Sequence, residues 1–241
     1  MQNIKFSVQD IKERLHNAKT VVILTGAGIS ADSGVPTFRG NDGLWKNFKP
    51  EELATPEAFT KNPKLVWEWY DSRRLVLSKL KPNPGHIAIA KIEKLVKKFT
   101  LITQNVDGLH QIAGSKNVIE LHGNIWRVKC TSCSKVNINI SIPIKILPFC
   151  KCGGLLRPDV VWFGEMLSDN ALTKAFAASD NCDLMFVIGT SGIVHPAASI
   201  ALRAKDEGSF VVEINIEKTP LSASADATFL GKAGDILPQL L

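Results

Sequence analysis

The stretch VVILTGAGISADSGVPTFRGNDGLW, residues 21–45, decides the fold. Its first five residues are aliphatic or β-branched, as expected of a strand that is buried on both faces. A G-x-G-x-x-A turn follows at residues 26–31, and glycines in such a turn let the backbone approach a pyrophosphate group. By itself the turn leaves two possibilities equally open, a phosphate-binding loop and a glycine-rich connection with only a structural role.

The residues after this turn argue against an ordinary dinucleotide-binding enzyme. In that fold a helix and a second strand follow, and an acidic residue about 20 positions on binds a ribose hydroxyl. Asp42 falls near that distance, but residues 33–40 are too rich in glycine and proline to form a helix and a strand. The sequence therefore predicts a nucleotide loop followed by a long loop that exposes Phe38 and Arg39, unlike hydride-transfer enzymes.

Composition and charge narrow the class of protein. The chain has 241 residues, 45% of them hydrophobic, enough for one large core or a core with a smaller module. The mean hydropathy is +0.06, no apolar run approaches the roughly 20 residues of a membrane helix, and the N-terminus is amphipathic and charged. We therefore expect a cytoplasmic protein that does not bind membranes. The net charge of +6 only weakly permits nucleic-acid binding.

Hydrophobic periodicity predicts an α/β fold. Helical patterns lie at residues 7–18, 50–80, 84–98, 172–178 and 196–205, and buried strands at residues 21–25, 99–103, 118–121, 184–188 and 210–214. In the helix predicted at residues 84–98, the side chains expected to point inward are those of Ile87, Ile89, Ile92 and Leu95. Because strands alternate with helices, the pattern indicates a parallel sheet.

Polar residues or glycines follow each predicted strand at its carboxyl end. They are Gly26, Gln104 and Asn105, His122, then Gly189, Thr190 and Ser191, and finally Asn215. In open α/β sheets the ligand crevice lies outside the carboxyl ends of the strands. The sequence therefore predicts one site at which these residues converge.

Four of the five cysteines form two close pairs. Sixteen residues separate the pair Cys130 and Cys133 from the pair Cys150 and Cys152, a spacing that fits a zinc ribbon with four thiolate ligands. Such a site has no open coordination position, so the zinc is expected to be structural. Two local disulfides are the alternative, which a reducing compartment disfavours. We expect Cys182 to be a small buried hydrophobe and residues 136–144 to form an alternating strand.

His122 is the candidate general base among the five histidines. It follows a buried strand at the predicted crevice and precedes a glycine, and its near-neutral intrinsic pKa suits proton transfer. We expect His86 to be structural, His16 to be solvated, and His110 and His195 to lie in loops. No Ser-His-acid order accompanies His122, which indicates that the bound nucleotide itself reacts.

The chain resembles the sirtuins over nearly its whole length. GAGIS, SGVPTFRG and GLW are followed in family order by TQNVDGLH, LHGN, the cysteine ribbon, VVWFGE, GTS and EIN. The second cysteine pair is one residue shorter than the family's C-x-x-C. The resemblance implies a Rossmann-like parallel sheet with a smaller helical plus zinc-ribbon module. We expect a Rossmann-like domain at residues 1–40, 83–124 and 158–241, a helical insertion at residues 41–82 and a zinc-ribbon insertion at residues 125–157.

The resemblance also implies a reaction, the NAD-dependent removal of acyl groups from lysine in acylated protein substrates. In that family the acyl oxygen attacks the anomeric carbon of the nicotinamide ribose, and nicotinamide departs. His122 would then serve as the base for a ribose hydroxyl that attacks the imidate, with Asn105 as a second catalytic residue. The products would be O-acyl-ADP-ribose and free lysine, and the implied cofactors are NAD and one structural Zn2+.

The family's binding residues carry over to matching positions of this sequence. The implied NAD-binding residues are Gly26, Ala27, Gly28, Ile29, Ser30, Phe38, Arg39, Trp45, Gln104, Asn105, Val106, Asp107, Gly189, Thr190, Ser191, Asn215, Ile216, Glu217 and Ala233. The substrate peptide would be held as an added strand, main chain to main chain, by Phe163, Gly164, Glu165 and Val194.

Tyr70 and Arg73 are a candidate receptor for an acidic acyl group. Three residues apart on a predicted helix, they share a face, and a hydroxyl beside a guanidinium suits a carboxylate. Spacing alone favours a surface tyrosine and an arginine that pairs with a neighbouring acid. However, Tyr-x-x-Arg resembles the marker of sirtuins that remove succinyl and malonyl groups, and Ala54 matches the small residue that widens their acyl pocket. The resemblance therefore implies desuccinylation and demalonylation, with deacetylation alongside.

Several alternatives stay open. ADP-ribosyl transfer or NAD hydrolysis would use the same activated ribose, and a plain deacetylase would lack the acidic-acyl preference. A non-catalytic reader of NAD or acyl-lysine is a rival of another class. A zinc-ribbon nucleic-acid protein is disfavoured because residues 137–148 are aliphatic with few charges. We expect a monomer without direct nucleic-acid contacts.

Overall fold

The computed structural model describes residues 6–37 and 49–241. Phe38, Arg39 and Trp45, which the resemblance assigns to NAD, lie outside the described residues, as does Asp42. The strands are β1 Thr20–Thr25, β2 Lys98–Thr103, β3 Val118–Glu120, β4 Gly123–Cys130, β5 Val136–Ile138, β6 Leu156–Val160, β7 Leu184–Ile188, β8 Phe210–Asn215 and β9 Ala227–Leu230. The helices are α1 Val8–Asn17, α2 Gly28–Ala31, α3 Pro50–Leu53, α4 Pro56–Lys61, α5 Pro63–Leu77, α6 Pro84–Leu95, α7 Leu109–Ile112, α8 Asp169–Ser179, α9 Ala197–Asp206 and α10 Ala233–Ile236.

The larger sheet is parallel and has the strand order β3-β2-β1-β7-β8-β9. At its centre Thr25 of β1 lies opposite Thr103 of β2 and Ile188 of β7, so these strands end level with one another. The carboxyl ends of all six strands consequently meet at one edge of the sheet. The predicted parallel α/β sheet is confirmed, and its edge strand β9 is an addition that the sequence patterns did not reveal.

Helices cover both faces of this sheet. Val21 and Ile23 of β1 point into a core with Ile11 of α1 and Ile89 of α6. The alternate residues of β1 point into a second core formed with α8 and α9. A strand that is buried on both faces needs no polar residues, which explains the apolar run at residues 21–24. None of the helices that the structure describes has both the length and the apolar character of a bilayer-crossing segment.

The helix α6 corrects one expectation about inward-facing residues. Ile89 and Ile92 are fully buried, but Ile87 is 44% exposed and Leu95 is 61% exposed. Residues two apart on an α-helix point about 200° away from each other, so Ile87 and Ile89 could not both face the sheet. The buried stripe instead includes Gly85 and Ala88, whose small size conceals them from a search for large apolar residues.

The helical region predicted at residues 50–80 consists of three helices, each of which begins with proline. The side chain of Thr55 accepts a hydrogen bond from Ala58 N (3.1 Å) at the start of α4, and Asn62 Oδ1 accepts one from Leu65 N (3.1 Å) at the start of α5. Proline fits the first helical position because the N–H there has no intrahelical partner. These capped helix starts divide residues 50–80 into three separate helices.

A smaller antiparallel sheet has the strand order β5-β4-β6. β4 and β6 were not predicted, and the strand expected at residues 136–144 is wrong in length, since β5 ends at Ile138. Asn139 N still pairs with Trp126 O (2.9 Å), but Asn139 Oδ1 then accepts from Ser141 N (3.1 Å). This local side-chain bond turns the backbone away from the ladder.

The small sheet and the helices α3–α5 bury a core in common. Trp67 of α5, which is 1% exposed, donates from Nε1 to Leu156 O of β6 (2.8 Å). Asp71 Oδ1 accepts from Ile144 N (2.8 Å), and the Arg74 guanidinium donates to Asn139 O and Oδ1. One face of α5 therefore bonds to the stretch between the two cysteine pairs, at Asn139 and Ile144, and to the strand that follows them, at Leu156.

Candidate active site

Side chains from four strand ends form one hydrogen-bonded group at the carboxyl edge of the large sheet. Gln104 Nε2 donates to Thr190 Oγ1 (3.0 Å), and Asn105 Nδ2 donates to Gly26 O (3.0 Å). Asn215 Nδ2 donates to Thr190 O (2.9 Å), and His122 Nδ1 bonds to Gln104 O (2.9 Å). The convergence that the sequence predicts is therefore present, from β3 across to β8.

The loops after β1 and β7 pack backbone against backbone. Gly28 N donates to Gly189 O (2.8 Å), and Gly26 N donates to Ile188 O (3.0 Å). A Cβ on Gly26 or Gly28 would lie 2.7 Å from backbone atoms of Gly189, closer than van der Waals contact allows. Gly189 itself has φ +59°, which favours glycine. These glycines keep the loops after β1 and β7 in direct backbone contact at the carboxyl edge of the large sheet.

A buried network surrounds Asp107. Its Oδ2 accepts from Ser30 Oγ (2.7 Å), and its Oδ1 accepts from Leu109 N (2.8 Å). Asn105 Nδ2 also donates to Ser30 Oγ (3.2 Å). Burial raises the pKa of Asp107, although these hydrogen bonds and the nearby Arg73 oppose the shift. The network fixes the positions of Asn105 and Asp107 in the loop after β2.

The His122 ring is held in one tautomer by its hydrogen bond to the backbone. Because Gln104 O can only accept, Nδ1 of His122 carries the hydrogen of their bond, and Nε2 keeps its lone pair. Burial lowers the pKa of His122, and the bond to Gln104 O opposes this shift without reversing it. The backbone is fixed as well, since His122 O accepts from Val161 N (2.9 Å). His122 can therefore take up a proton at Nε2 near neutral pH.

The other histidines do not share this geometry. His110 was expected in a loop, and this is wrong: it lies in α7, 1% exposed, with Nε2 bonded to Thr25 Oγ1 (3.0 Å). Burial lowers the pKa of His110 to about 3 and that of His86 to about 4. The centres of the two rings are 4.8 Å apart. His86 is structural as expected, capping α6 through Asn83 N. His16 is exposed, and exposed His195 contacts Ser199 Oγ (2.8 Å).

The predicted acyl-binding residues Tyr70 and Arg73 lie on α5. Tyr70 is buried, so it is not a surface tyrosine, and its hydroxyl accepts from Trp162 Nε1 (2.9 Å). Burial raises the pKa of Tyr70 to about 12. Arg73 is half-buried, lies 4.9 Å from the Trp69 ring centre and interacts electrostatically with both Tyr70 and Asp107. This interaction connects α5 to the loop that carries the NAD-type motif.

The segment after β6 runs beside these residues. Phe163 N donates to the carbonyl of buried Ala54 (2.9 Å), which places Ala54 next to the expected peptide-binding segment. Phe163 is 49% exposed, and Gly164 has φ +83°. The Glu165 side chain turns back to Arg157, with Arg157 Nη2 to Glu165 Oε2 at 2.8 Å. The Glu165 side chain and the backbone N–H groups of Phe163 and Glu165 therefore have partners within the protein.

The remaining expected NAD-binding residues differ in exposure. Ser191, Ile216 and Glu217 are exposed beyond the ends of β7 and β8, and Gly28 is exposed in the glycine loop. Ile29 and Thr190 are buried, whereas Ala27 and Val106 are half-buried. Val194, which the resemblance assigns to the substrate peptide, is also half-buried. Ala233 begins α10 and is buried near Gly85 of α6, and the neighbouring Lys232–Asp32 ion pair (3.1 Å) connects α10 to α2.

The four paired cysteines meet in one cluster. Their sulfur atoms all lie within 4.8 Å of one another, with Cys130 Sγ to Cys152 Sγ at 3.5 Å and Cys133 Sγ to Cys150 Sγ at 3.8 Å. Zinc–sulfur bonds of about 2.3 Å in a tetrahedron separate the sulfurs by about 3.8 Å. The backbone N–H groups of Ser132 and Cys133 point at Cys130 Sγ, as suits a thiolate. The cluster fits one zinc ion, and the shortened C-x-C pair does not prevent this. Cys182 is buried as expected.

Comparisons with known proteins agree with this geometry. The family model described as the Sir2 family matches residues 26–196. The chain is 58% identical over 221 residues, 91% of each chain, to NAD-dependent protein deacylase 1 of Caldanaerobacter subterraneus subsp. tengcongensis. It is 54% identical over 239 residues, 96% of each chain, to an NAD-dependent protein deacylase of Pyrococcus furiosus. A solved Sir2 homologue in complex with NAD superposes with a TM-score of 0.92 at 48% identity, covering 98% of this chain and 93% of the homologue. The protein belongs to the Sir2 family.

Proposed function

We propose that this protein is an NAD-dependent protein-lysine deacylase that releases nicotinamide, O-acyl-ADP-ribose and free lysine. The observation that carries the proposal is the group at the sheet edge, where His122 stands beside Gln104 and Asn105 with Nε2 available. The Caldanaerobacter and Pyrococcus relatives, which are named NAD-dependent protein deacylases, support it. NAD would supply the electrophilic ribose carbon. Everything else in the reaction falls to side chains of this chain.

His122 is the proposed catalytic base. Nδ1–H stays on Gln104 O, which holds the ring in one tautomer and directs Nε2 into the cleft. In that position Nε2 takes the proton from a ribose hydroxyl. Asn105 is the second proposed catalytic residue: its amide is fixed by Gly26 O and Ser30 Oγ, so the side-chain oxygen keeps one orientation toward the cleft.

The remaining roles follow from place in the fold. The glycine loops after β1 and β7 approach the phosphates, Asp107 and Gln104 hold the ribose and carboxamide, and Asn215 and Glu217 serve the adenosine end. For Phe38, Arg39 and Trp45, which lie outside the described residues, only the family resemblance supports a role in binding NAD. Residues 163–165 and Val194 hold the peptide. We also propose that the helical insertion at residues 41–82 and the ribbon at residues 125–157 form a small domain, which their common core supports.

The proposal extends to the acyl group: the enzyme removes succinyl and malonyl groups and also acetyl groups. Tyr70 and Arg73 support an acidic-acyl preference because a buried hydroxyl and a half-buried guanidinium face the same side of α5. Charge-assisted hydrogen bonds in such places contribute roughly 1.5–3 kcal/mol. Ala54 leaves room for the longer chain. We further propose a cytoplasmic monomer that acts on acylated proteins and does not bind nucleic acid.

The nearest rival is ADP-ribosyl transfer or NAD hydrolysis. Both cleave the same glycosidic bond, but another nucleophile captures the ribose. Glycosidic cleavage alone needs no second-step base, whereas His122 is held with a free lone pair at the strand end. This observation favours deacylation. NAD consumption that does not require an acylated peptide would favour the rival instead.

The test is NAD-dependent conversion of one peptide that carries either acetyl-lysine or succinyl-lysine, followed by mass spectrometry. We expect the parent enzyme to prefer succinyl-lysine. Arg73→Met should lower kcat/KM for the succinyl peptide by roughly ten- to a hundredfold, because a charge-assisted hydrogen bond is lost. His122→Ala should lower turnover of both peptides by roughly a hundredfold or more.

Arg74→Met is the matched control, since Arg74 is the next arginine on α5 but donates to Asn139. It should leave the ratio of succinyl to acetyl conversion unchanged. A parent that prefers acetyl-lysine, with no effect of Arg73→Met on the ratio, identifies a plain deacetylase. If NAD is consumed while neither peptide reacts, the deacylase proposal is overturned.

A further inference from the structure

A buried hydrogen bond joins the proposed acyl pocket to the segment that follows β6. Trp162 Nε1 donates to the Tyr70 hydroxyl at 2.9 Å, although the two residues are 92 positions apart. Trp162 is 3% exposed and Tyr70 is 5% exposed, so water does not compete for this bond. The indole thereby contacts one of the two residues that we propose to bind the acyl carboxylate.

The Trp162 ring is held in place on several sides. The Arg157 guanidinium carbon lies 3.4 Å from the centre of the ring, and Phe59 packs against it with ring centres 5.3 Å apart. Arg157 is itself paired with Glu165, whose Oε2 also accepts from the backbone N of Trp162 (2.9 Å). Ring and backbone are thus fixed together. The direction of the indole N–H bond toward Tyr70 is therefore defined.

This bond determines what the Tyr70 hydroxyl can do. An indole N–H only donates, so the phenol oxygen must use a lone pair to accept it. Tyr70 stays protonated at physiological pH, because burial raises its pKa to about 12. Its O–H is then left to donate, and it has no acceptor among residues 6–37 and 49–241. An acceptor supplied by a bound acyl chain would satisfy it.

We propose that Trp162 is a positioning residue for acyl selectivity: by donating to Tyr70, it makes the tyrosine a hydrogen-bond donor for the carboxylate of the acyl group. This inference rests on the proposed succinyl and malonyl preference. Arg73 supplies the charge, and Trp162 orients the neutral donor beside it. An acetyl group has no such carboxylate, so it gains nothing from the oriented O–H. Selectivity should therefore depend on Trp162 although it need not touch the substrate.

The test is Trp162→Phe, with KM and kcat measured for succinyl and acetyl forms of one peptide. We expect the KM for the succinyl peptide to rise roughly three- to tenfold relative to that for the acetyl peptide, as one oriented hydrogen bond is lost. Trp67→Phe is the matched control. Trp67 is also buried and also donates from Nε1, but to Leu156 O, so its loss should leave the ratio of the two KM values unchanged.

A double-mutant cycle distinguishes a positioning role of Trp162 from a general disruption of the fold. If Trp162 acts through Tyr70, then adding Trp162→Phe to the Tyr70→Phe variant should not change the ratio of the succinyl KM to the acetyl KM any further. Trp162→His, which keeps a ring N–H, serves if the phenylalanine variant fails to fold, and it should retain more of the selectivity than Trp162→Leu.

The outcomes distinguish the two proposals. A parent with no preference for succinyl-lysine overturns the acyl assignment and this inference together. A parent that prefers succinyl-lysine, with the same KM ratio in Trp162→Phe or an equal change in Trp67→Phe, overturns the role of Trp162 and leaves the acyl assignment standing.

Discussion

At the scale of single residues, burial sets the protonation state of the histidines. His122 is half-buried and its pKa is lowered mainly by loss of hydration, so its ring is neutral at pH 7. A base in this state is ready to accept a proton, and acid must protonate it before the enzyme is inactivated. The electrostatics thus agree with the proposed role of His122, whereas His86 and His110 are too deeply buried to exchange protons with a substrate.

We predict a corresponding pH dependence. The value of kcat/KM for an acylated peptide should be constant above neutral pH and fall on the acid side, with an apparent pKa below the ordinary 6.5 of histidine. Initial rates between pH 5 and 8 measure it. The same curve is expected from His16→Gln, because His16 is exposed on α1 away from the cleft. An apparent pKa at or above 6.5 would contradict the assignment of His122.

Local patterns in the sequence predicted the positions of residues that lie at a strand end or at close spacing along the chain. His122, Asn105 and the four cysteines are of this kind. Trp162 is different, because its partner Tyr70 is 92 positions away and an indole in an apolar run looks like any core residue. The burial of His110 against Thr25 was hidden for the same reason. Only tertiary contacts reveal such residues.

At the scale of elements, the close approach of the loops after β1 and β7 predicts the effect of adding one methyl group. A Cβ on Gly28 would lie 2.7 Å from Gly189 Cα and 2.8 Å from Gly189 O, and backbone atoms on both sides cannot easily move. Gly28→Ala should therefore lower the free energy of unfolding by about 1–3 kcal/mol and weaken NAD binding. Denaturant unfolding and titration with NAD measure the two effects.

Gly114→Ala provides the comparison for this variant. Gly114 has φ +103° with no atoms within 4 Å of the added Cβ, so alanine there would suffer backbone strain but no collision. We expect a loss of stability of roughly 1–2 kcal/mol and unchanged NAD binding. Equal NAD affinity in Gly28→Ala and the parent would show that the two loops do not need their present spacing.

Elements with an uninterrupted hydrophobic pattern could be predicted from the sequence. Elements at the junction of the two sheets could not. β1 and β7 are apolar runs buried on both faces; the predicted bounds of β7 agree with the structure, and β1 begins one residue earlier than predicted, at Thr20. β4, with sequence GNIWRVKC, begins at the proposed active site and ends in the metal cluster, so its exposure changes along its length. It therefore shows no regular alternation. β5 ends early because the Asn139 side chain accepts a hydrogen bond from Ser141 N. A hydrophobicity pattern does not predict such a local hydrogen bond.

At the scale of the whole molecule, the two sheets have separate cores, and this predicts a divided response to metal removal. Chelation of zinc, or Cys133→Ser, should expose the backbone of residues 123–160 and of α3–α5 to solvent, because these share one core with the ribbon. β1, β2 and β7 should stay protected in their own cores. Hydrogen exchange followed by mass spectrometry, together with the zinc content, measures this response.

Cys182→Ala is the control for the cysteine variant. Cys182 is buried in the core beside α8 and α9, away from the cluster, so its replacement should leave one zinc per chain. Protection lost equally in both sheets after chelation would mean that the cores are not independent. A parent preparation without zinc would contradict the metal site itself.

The order of the strands also has a consequence for protein synthesis. Two of the six residues in the hydrogen-bonded group at the sheet edge, Thr190 and Asn215, come from the ends of β7 and β8, which follow all four paired cysteines in the chain. A ribosome delivers the chain from its N-terminus, so the metal-binding ribbon emerges before the cofactor cleft has both of its walls. The set of residues assigned to NAD is complete only when Ala233, of 241 residues, has been made. Until then a nascent chain can capture zinc but has no means of consuming NAD.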